Sequence, residues 1–176
     1  MTEIRFFRST LFKYIAIAVL PLAVLLFQPA ASFTVLTFGV RALLETRPVD
    51  PRDFLRGDYV TLDYVIADVP DELFSQEDAG EIWGDDRRSP VYVTLALDDK
   101  GIASVSGASF SRPAAGLYIQ GRRNWRGMDY GLGVYYVPEG TGLELENALR
   151  EPNVKVLADV RILRGRGVIK KLEIVK

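Results

Sequence analysis

From Tyr14 to Val40 the chain carries no charged residue. That run constrains the fold more than any other feature. A helix needs about 20 predominantly apolar residues to cross the hydrocarbon core of a bilayer, and the run supplies them; the best core for a span is about Leu11 to Ala31. Pro21 lies inside that stretch, where a bilayer helix tolerates a kink, and Pro29 predicts the exit. Arg5, Arg8 and Lys13 precede the run. Positive charge favours the cytoplasmic side, so the N-terminus is expected inside and everything after about Phe33 outside. Arg41, Arg47, Arg52 and Arg56 on the far side weigh against this orientation. The alternative is a signal peptide cleaved at the small-residue triplet Ala30-Ala31-Ser32. The apolar stretch outruns a typical signal-peptide core and Pro29 sits just before the triplet, which favours a retained anchor. A buried helix of a soluble protein fits least well, because so long an uncharged run seldom occurs there.

The expected organisation is therefore a cytoplasmic N-terminus over 1–13, a transmembrane anchor over 14–35 and an exported β-rich domain over 36–176. A chain of 176 residues accommodates one domain plus such an appendage. The net charge of −1 does not mark a nucleic-acid binder. The sequence contains neither cysteine nor histidine. A disulfide framework and thiolate metal sites are excluded, and the commonest general base and metal ligand is missing. No cofactor and no metal site is expected.

The exported part reads as short strands separated by turn residues. Leu36 to Val49 runs from loop or frayed helix into an extended stretch over Arg41–Thr46. Asp50 to Gly57 reads as one helical turn, with Asp50 as N-cap, Pro51 at the first position and Gly57 in the left-handed position after the end. Asp58 to Ala67 follows as a strand with Val60, Leu62, Tyr64 and Ile66 on its apolar face. Pro70 to Phe74 suggests a short helix or structured loop. Val91–Leu97 and Ile102–Phe110 flank a hairpin turn at Asp98-Asp99-Lys100-Gly101. Leu117–Gln120 and Gly133–Val137 are further strands, with a loop over Gly121–Gly127 between them. Gly140–Leu149 is a candidate helix. Asn153–Leu163 and Val168–Val175 form a last hairpin around Arg164-Gly165-Arg166-Gly167. The fold class is mainly β with a minor α part: a single-span N-terminal helix, then a compact antiparallel β domain of six or seven strands, built as a partly closed barrel or a sandwich.

One segment is specific. Pro48-Val49-Asp50-Pro51-Arg52-Asp53-Phe54-Leu55-Arg56 leads into Gly57-Asp58-Tyr59-Val60-Thr61-Leu62-Asp63-Tyr64. A second block comprises Tyr130-Gly131, then Tyr136-Val137-Pro138-Glu139-Gly140, then Leu145-Glu146. The G-D-Y-x-x-L-x-Y run resembles the signature of the bacterial GDYXXLXY family of envelope proteins, and the second block is similar to that family's second motif. The resemblance implies a membrane-associated envelope protein that associates with multi-pass membrane proteins. It implies no reaction.

The motif's candidate site residues are Arg56, Gly57, Asp58, Tyr59, Leu62 and Tyr64. A structural role is available to each: Asp58 accepting backbone bonds of the turn, the tyrosines packing with their hydroxyls satisfied. Partner binding at the strand entrance is the functional alternative. A second candidate interface comprises Arg122, Arg123, Trp125 and Arg126, with Tyr136 and Glu139. Basic residues around an aromatic suit an anionic headgroup or a partner surface; an exported domain meets no nucleic acid. Glu139, Glu144 and Glu146 offer carboxylates, but glycoside hydrolysis needs two held across a sugar, and the sequence shows no such geometry. Arg56–Val60 also looks like a strand of type I signal peptidases. Those enzymes need a serine in a Ser-Met-x-Pro setting and a lysine base. Here Ser32 stands in Ala-Ser-Phe-Thr, and no lysine occurs between Lys13 and Lys100.

No catalytic residue is therefore assigned. The expectation is a non-enzymatic, single-pass protein of the cytoplasmic membrane whose outward domain is a subunit or accessory of a membrane assembly. Its partners would be the lipid bilayer and a multi-pass membrane protein. The alternatives are a carboxylate-dependent envelope hydrolase, using two of Asp58, Asp63, Glu139 and Glu146, and a soluble exported binding module released by cleavage after Ser32.

Overall fold

The computed structural model describes residues 3–47, 59–74, 89–125, 127–136 and 154–175; side chains at 3–12, 16, 24, 26, 28 and 59 are outside the description. One helix, α1, spans Glu3–Phe38 and runs through both Pro21 and Pro29. The helix thus continues past Pro29 to Phe38. Thr34 and Thr37 donate their hydroxyls to the carbonyls of Ala30 and Phe33, each at 2.8 Å. Ile17, Leu20, Leu25, Phe27, Phe33 and Phe38 keep 69–73% of their surface exposed. At about 100° per residue these positions are spread around the helix, not along one stripe. Among the described residues no helix is long and apolar enough to cross a membrane, so the span over 14–35 stays an expectation.

The helix passes into the first strand through one residue. Gly39 donates its N–H to the Val35 carbonyl at 2.8 Å. A Cβ there would run into that same oxygen and would lie 3.0 Å from Arg161 Cβ and from the Ile162 nitrogen. Only glycine fits the junction. β1 (Val40–Arg47) begins immediately after it, so of the expected loop or frayed helix at Leu36–Phe38 the helix is the one observed.

Ten strands occur among the described residues, more than the six or seven expected, and the fold is mainly β. β2 (Tyr59–Thr61) and β3 (Asp63–Tyr64) replace the single strand expected over Asp58–Ala67, and Val65–Ala67 is a 3₁₀ turn. Asp71–Leu73 is a second such turn. β4 (Pro90–Leu97), β5 (Ala103–Ser109), β6 (Leu117–Asn124), β7 (Gly127–Asp129), β8 (Val134–Tyr136), β9 (Lys155–Leu163) and β10 (Arg166–Val175) complete the set. β6 runs through residues expected to be loop, because Arg122, Arg123 and Asn124 pair with β7. The expected turn over Asp50–Gly57 and the expected helix over Gly140–Leu149 lie outside the described residues.

One sheet has the order β10-β9-β1-β3, a second β5-β4-β6-β7, and β2 pairs with β8; every pairing between named strands is antiparallel. The sheets share one core. Ala42, Leu44, Ala158, Val160 and Ile162 from the first meet Val91, Val93, Leu95 and Ile119 from the second, with Val60, Leu62, Tyr64 and Ile66 beside them. The apolar face predicted for the signature strand is thus buried, even though its last turn is 3₁₀. Backbone bonds also join the sheets: Leu43 N–H to the Gly101 carbonyl at 2.9 Å, and Gln120 N–H to the Gly165 carbonyl at 2.8 Å.

The second of these joins depends on the β9–β10 hairpin. Its loop is two residues, Arg164 at φ 51° and Gly165 at φ 86°. Two consecutive left-handed residues match the twist of a hairpin. A Cβ on Gly165 would stand 2.7 Å from the Tyr118 ring. Gly165→Val is therefore expected to destabilise the domain by about 2 kcal/mol or more, through left-handed strain and the clash together. In a thermal melt this should lower Tm by several degrees; an unchanged Tm would remove the constraint assigned to this turn.

Candidate functional site

The two signature blocks, far apart in sequence, form one structure. β2 and β8 pair as Tyr59↔Tyr136, Val60↔Tyr135 and Thr61↔Val134, and the Leu62 N–H extends the pairing to the Gly133 carbonyl at 2.9 Å. Two tyrosines then cross between the blocks in opposite directions. Tyr64 donates its hydroxyl to the Leu132 carbonyl at 2.8 Å, and Tyr130 donates to the Ile66 carbonyl at 2.6 Å. Both rings are buried. Desolvation raises both phenol pKa values well above the ordinary value of 10.0, with the neighbouring Asp63 charge adding to the effect at Tyr64. Each hydroxyl is thus a neutral donor that satisfies a carbonyl inside the core.

Arg47, at the end of β1, holds the same structure from behind. Its Nε and Nη2 donate to the Tyr64 carbonyl at 3.1 and 2.8 Å, and its Nη1 donates to Asp68 at 2.6 Å. The bond to Asp68 is the main reason its pKa is raised. Asp63 accepts from the Tyr64 N–H at 2.8 Å. Leu62 is core. Leu62 and Tyr64 are both packed into the fold. Tyr59 is placed by its backbone alone, opposite Tyr136. Arg56, Gly57 and Asp58 lie outside the described residues, as do Arg126 and Glu139.

The expected cluster around Trp125 is split. Arg122 and Arg123 are successive residues of β6 and point to opposite faces. Arg123 donates to Asp71 at 2.8 Å and lies over the Phe74 ring, which ties the sheet to the second 3₁₀ turn. Trp125 is exposed and lines a shallow hollow with Arg123. Arg122 instead joins Tyr136 at a groove of about 940 Å³. This groove runs between β6–β8 and the β9–β10 hairpin, and Ser32 of α1 lies at its wall. Arg164 and Arg166 line it too, as do Asp129, Tyr135 and Val134. Sequence reasoning took Arg164 and Arg166 only as part of a turn. The signal available was the alternation Arg164-Gly165-Arg166-Gly167, in which a tight hairpin carries two cations. Among the described residues no three His, Cys, Asp or Glu side chains come together to hold a metal ion.

The clasped blocks are the two motifs by which the chain resembles a known family. A family model described as "GDYXXLXY protein" matches residues 21–172. No curated protein and no solved structure matches the chain significantly.

Tyr64→Phe and Tyr130→Phe each leave a buried carbonyl without its donor, at a cost of about 1–3 kcal/mol. Tm should fall by several degrees for either variant. The raised pKa values also fix a sign with pH. The unfolded phenols ionise near 10.0 while the folded ones resist. Stability from both is therefore fully present below pH 10 and drains away as pH rises above it. Alkaline unfolding followed by circular dichroism should start at about pH 10, and the double Phe variant should show a shallower dependence; equal slopes would contradict the assigned burial.

Proposed function

Since the chain belongs to the GDYXXLXY family, we propose that it is a non-enzymatic, single-span protein of the cytoplasmic membrane, N-terminus inside, whose outward β domain serves as a subunit or accessory of a membrane protein assembly. The observation that carries this reading is α1. It is continuous over Glu3–Phe38, its large apolar side chains are exposed on all sides, and the charge-free run behind it includes the positions whose side chains are not described. A helix that is apolar all round is stable only in a protein core or a bilayer. Among the described residues its end meets the β domain: Val35 is buried, and Gly39, just past the helix, lies against Arg161 and Ile162. The tight junction at Gly39 would set the domain directly on the end of the anchor with no flexible linker. That suits a part that must keep a fixed pose beside a multi-pass partner.

The absence of an assigned reaction rests on how the polar groups are used. Asp63, Arg47, Tyr64 and Tyr130 are each committed to backbone or ion-pair partners within the fold. Of the carboxylates on which the hydrolase alternative depends, Asp58, Glu139 and Glu146 lie outside the described residues, and no observation favours that reading.

Topology supplies the test. A C-terminal reporter active only outside the cytoplasm should be active, and the full-length chain should resist alkaline extraction from membranes. An active cytoplasmic reporter, or release of a shortened chain, would overturn the anchored reading. Crosslinking in native membranes should then recover a multi-pass protein.

A further inference from the structure

We propose that the groove between β6–β8 and the β9–β10 hairpin binds a phosphate-ester anion through Arg122, Arg164 and Arg166. The described arginines of the β domain divide sharply. Arg41, Arg47 and Arg123 are in ion pairs, Arg112 bonds Tyr118, and Arg161 reaches the Gly39 carbonyl. Arg122, Arg164 and Arg166 have no ion pair or side-chain bond among the described residues, and all three line the same groove. One carboxylate lines it with them. Asp129 already accepts the Gly131 N–H at 2.8 Å. Three guanidinium groups against one carboxylate leave the described lining net positive.

The cations stand on rigid backbone. Arg164 and Arg166 flank Gly165, whose carbonyl is held by the Gln120 N–H and whose Cα packs on the Tyr118 ring. Arg122 lies on the strand that begins the same contact. Guanidinium forks are the usual recognition element for phosphate oxygens, and a backbone that is already ordered loses less entropy on binding.

The groove's place beside Ser32 gives the anion two possible sources. In the anchored reading, Ser32 is close to where α1 leaves the bilayer, and the groove then lies at headgroup depth. An anionic phospholipid headgroup would meet it there; a soluble phosphate ester would reach it from the water. The lipid source rests on the anchored reading, whereas the phosphate chemistry does not.

The test uses the full chain in a neutral detergent, titrated calorimetrically with inorganic phosphate in one arm and with micellar short-chain phosphatidylglycerol in the other. Phosphatidylcholine of the same chain length controls for the apolar tail. Phosphatidylglycerol is expected to bind more tightly than phosphatidylcholine, and the triple variant Arg122→Gln, Arg164→Gln, Arg166→Gln should weaken this by about tenfold or more. Asp129→Asn keeps the oxygen that accepts from Gly131 and removes the charge, so it should tighten binding. This second variant protects against a misfolded triple. Phosphate binding without lipid binding would assign the site to soluble esters; lipid binding without phosphate binding would assign it to headgroups. Either supports the inference. No binding in both arms, or equal binding by wild type, triple and Asp129→Asn, overturns it. Binding in micelles is independent of topology, and alkaline extraction is independent of the groove, so failure of one reading is distinguishable from failure of the other.

Discussion

The pairing of β1 with β9 is the interaction on which the rest of the domain depends. The first strand after the helix meets the penultimate strand of the chain in continuous register from Val40↔Ile162 to Glu45↔Leu157. Its inner face, Ala42 and Leu44 against Ala158, Val160 and Ile162, is at most 1% exposed. Further structure attaches to β1: Leu43 anchors the Asp98–Gly101 turn of the second sheet, Thr46 donates to the Val156 carbonyl at 2.7 Å, and Arg47 holds the Tyr64 carbonyl. Closing so long a loop costs entropy before any of these contacts can form. The signature blocks are organised around a strand that neither of them contains.

Register in this pairing is protected by charge as well as by the apolar pattern. Asp159 is 2% exposed and accepts from Arg41 Nε at 3.0 Å. That bond is the main cause of the raised Arg41 pKa. Arg41 also reaches Glu173 on β10 at 3.1 Å, where Lys171 arrives from the same strand. Bonds from Lys171 first, and then from Arg41, hold the Glu173 pKa low. A slip of one residue would turn Asp159 into the core and separate it from Arg41. An uncompensated buried carboxylate is far costlier than a lost apolar contact. The Asp159 pairing therefore selects among registers that the alternating apolar residues alone would tolerate.

What was legible in the sequence follows from what is local. The Asp98–Gly101 turn is correctly read because Asp98 caps it through bonds to the Lys100 and Ile102 N–H groups and Gly101 supplies a φ of 81°. The buried face of Val60, Leu62, Tyr64 and Ile66 is legible because alternation survives the 3₁₀ turn. The helix runs on past Pro29 because neighbouring turns carry it there. β6 was read too short because Gly121-Arg122-Arg123-Asn124 has loop composition; its pairing with β7 supplies what propensity does not. The reciprocal bonds of Tyr64 and Tyr130 and the meeting of Arg122 with Arg164 and Arg166 are long-range. No spacing in one sequence encodes them.

Among the described residues, the titratable groups whose pKa is shifted are ones the fold itself uses. Catalysis needs at least one titratable group left poised for a substrate, in an environment that tunes its pKa toward the working pH. In the described part of this domain the perturbed groups are moved the other way. Tyr64 and Tyr130 are pushed to a higher pKa and remain neutral, while Arg41, Arg47 and Glu173 are held in their charged forms by their partners. None of them changes charge near neutrality. Arg122, Arg164 and Arg166 have no ion pair or side-chain bond among the described residues, and they stand on β6 and the β9–β10 hairpin.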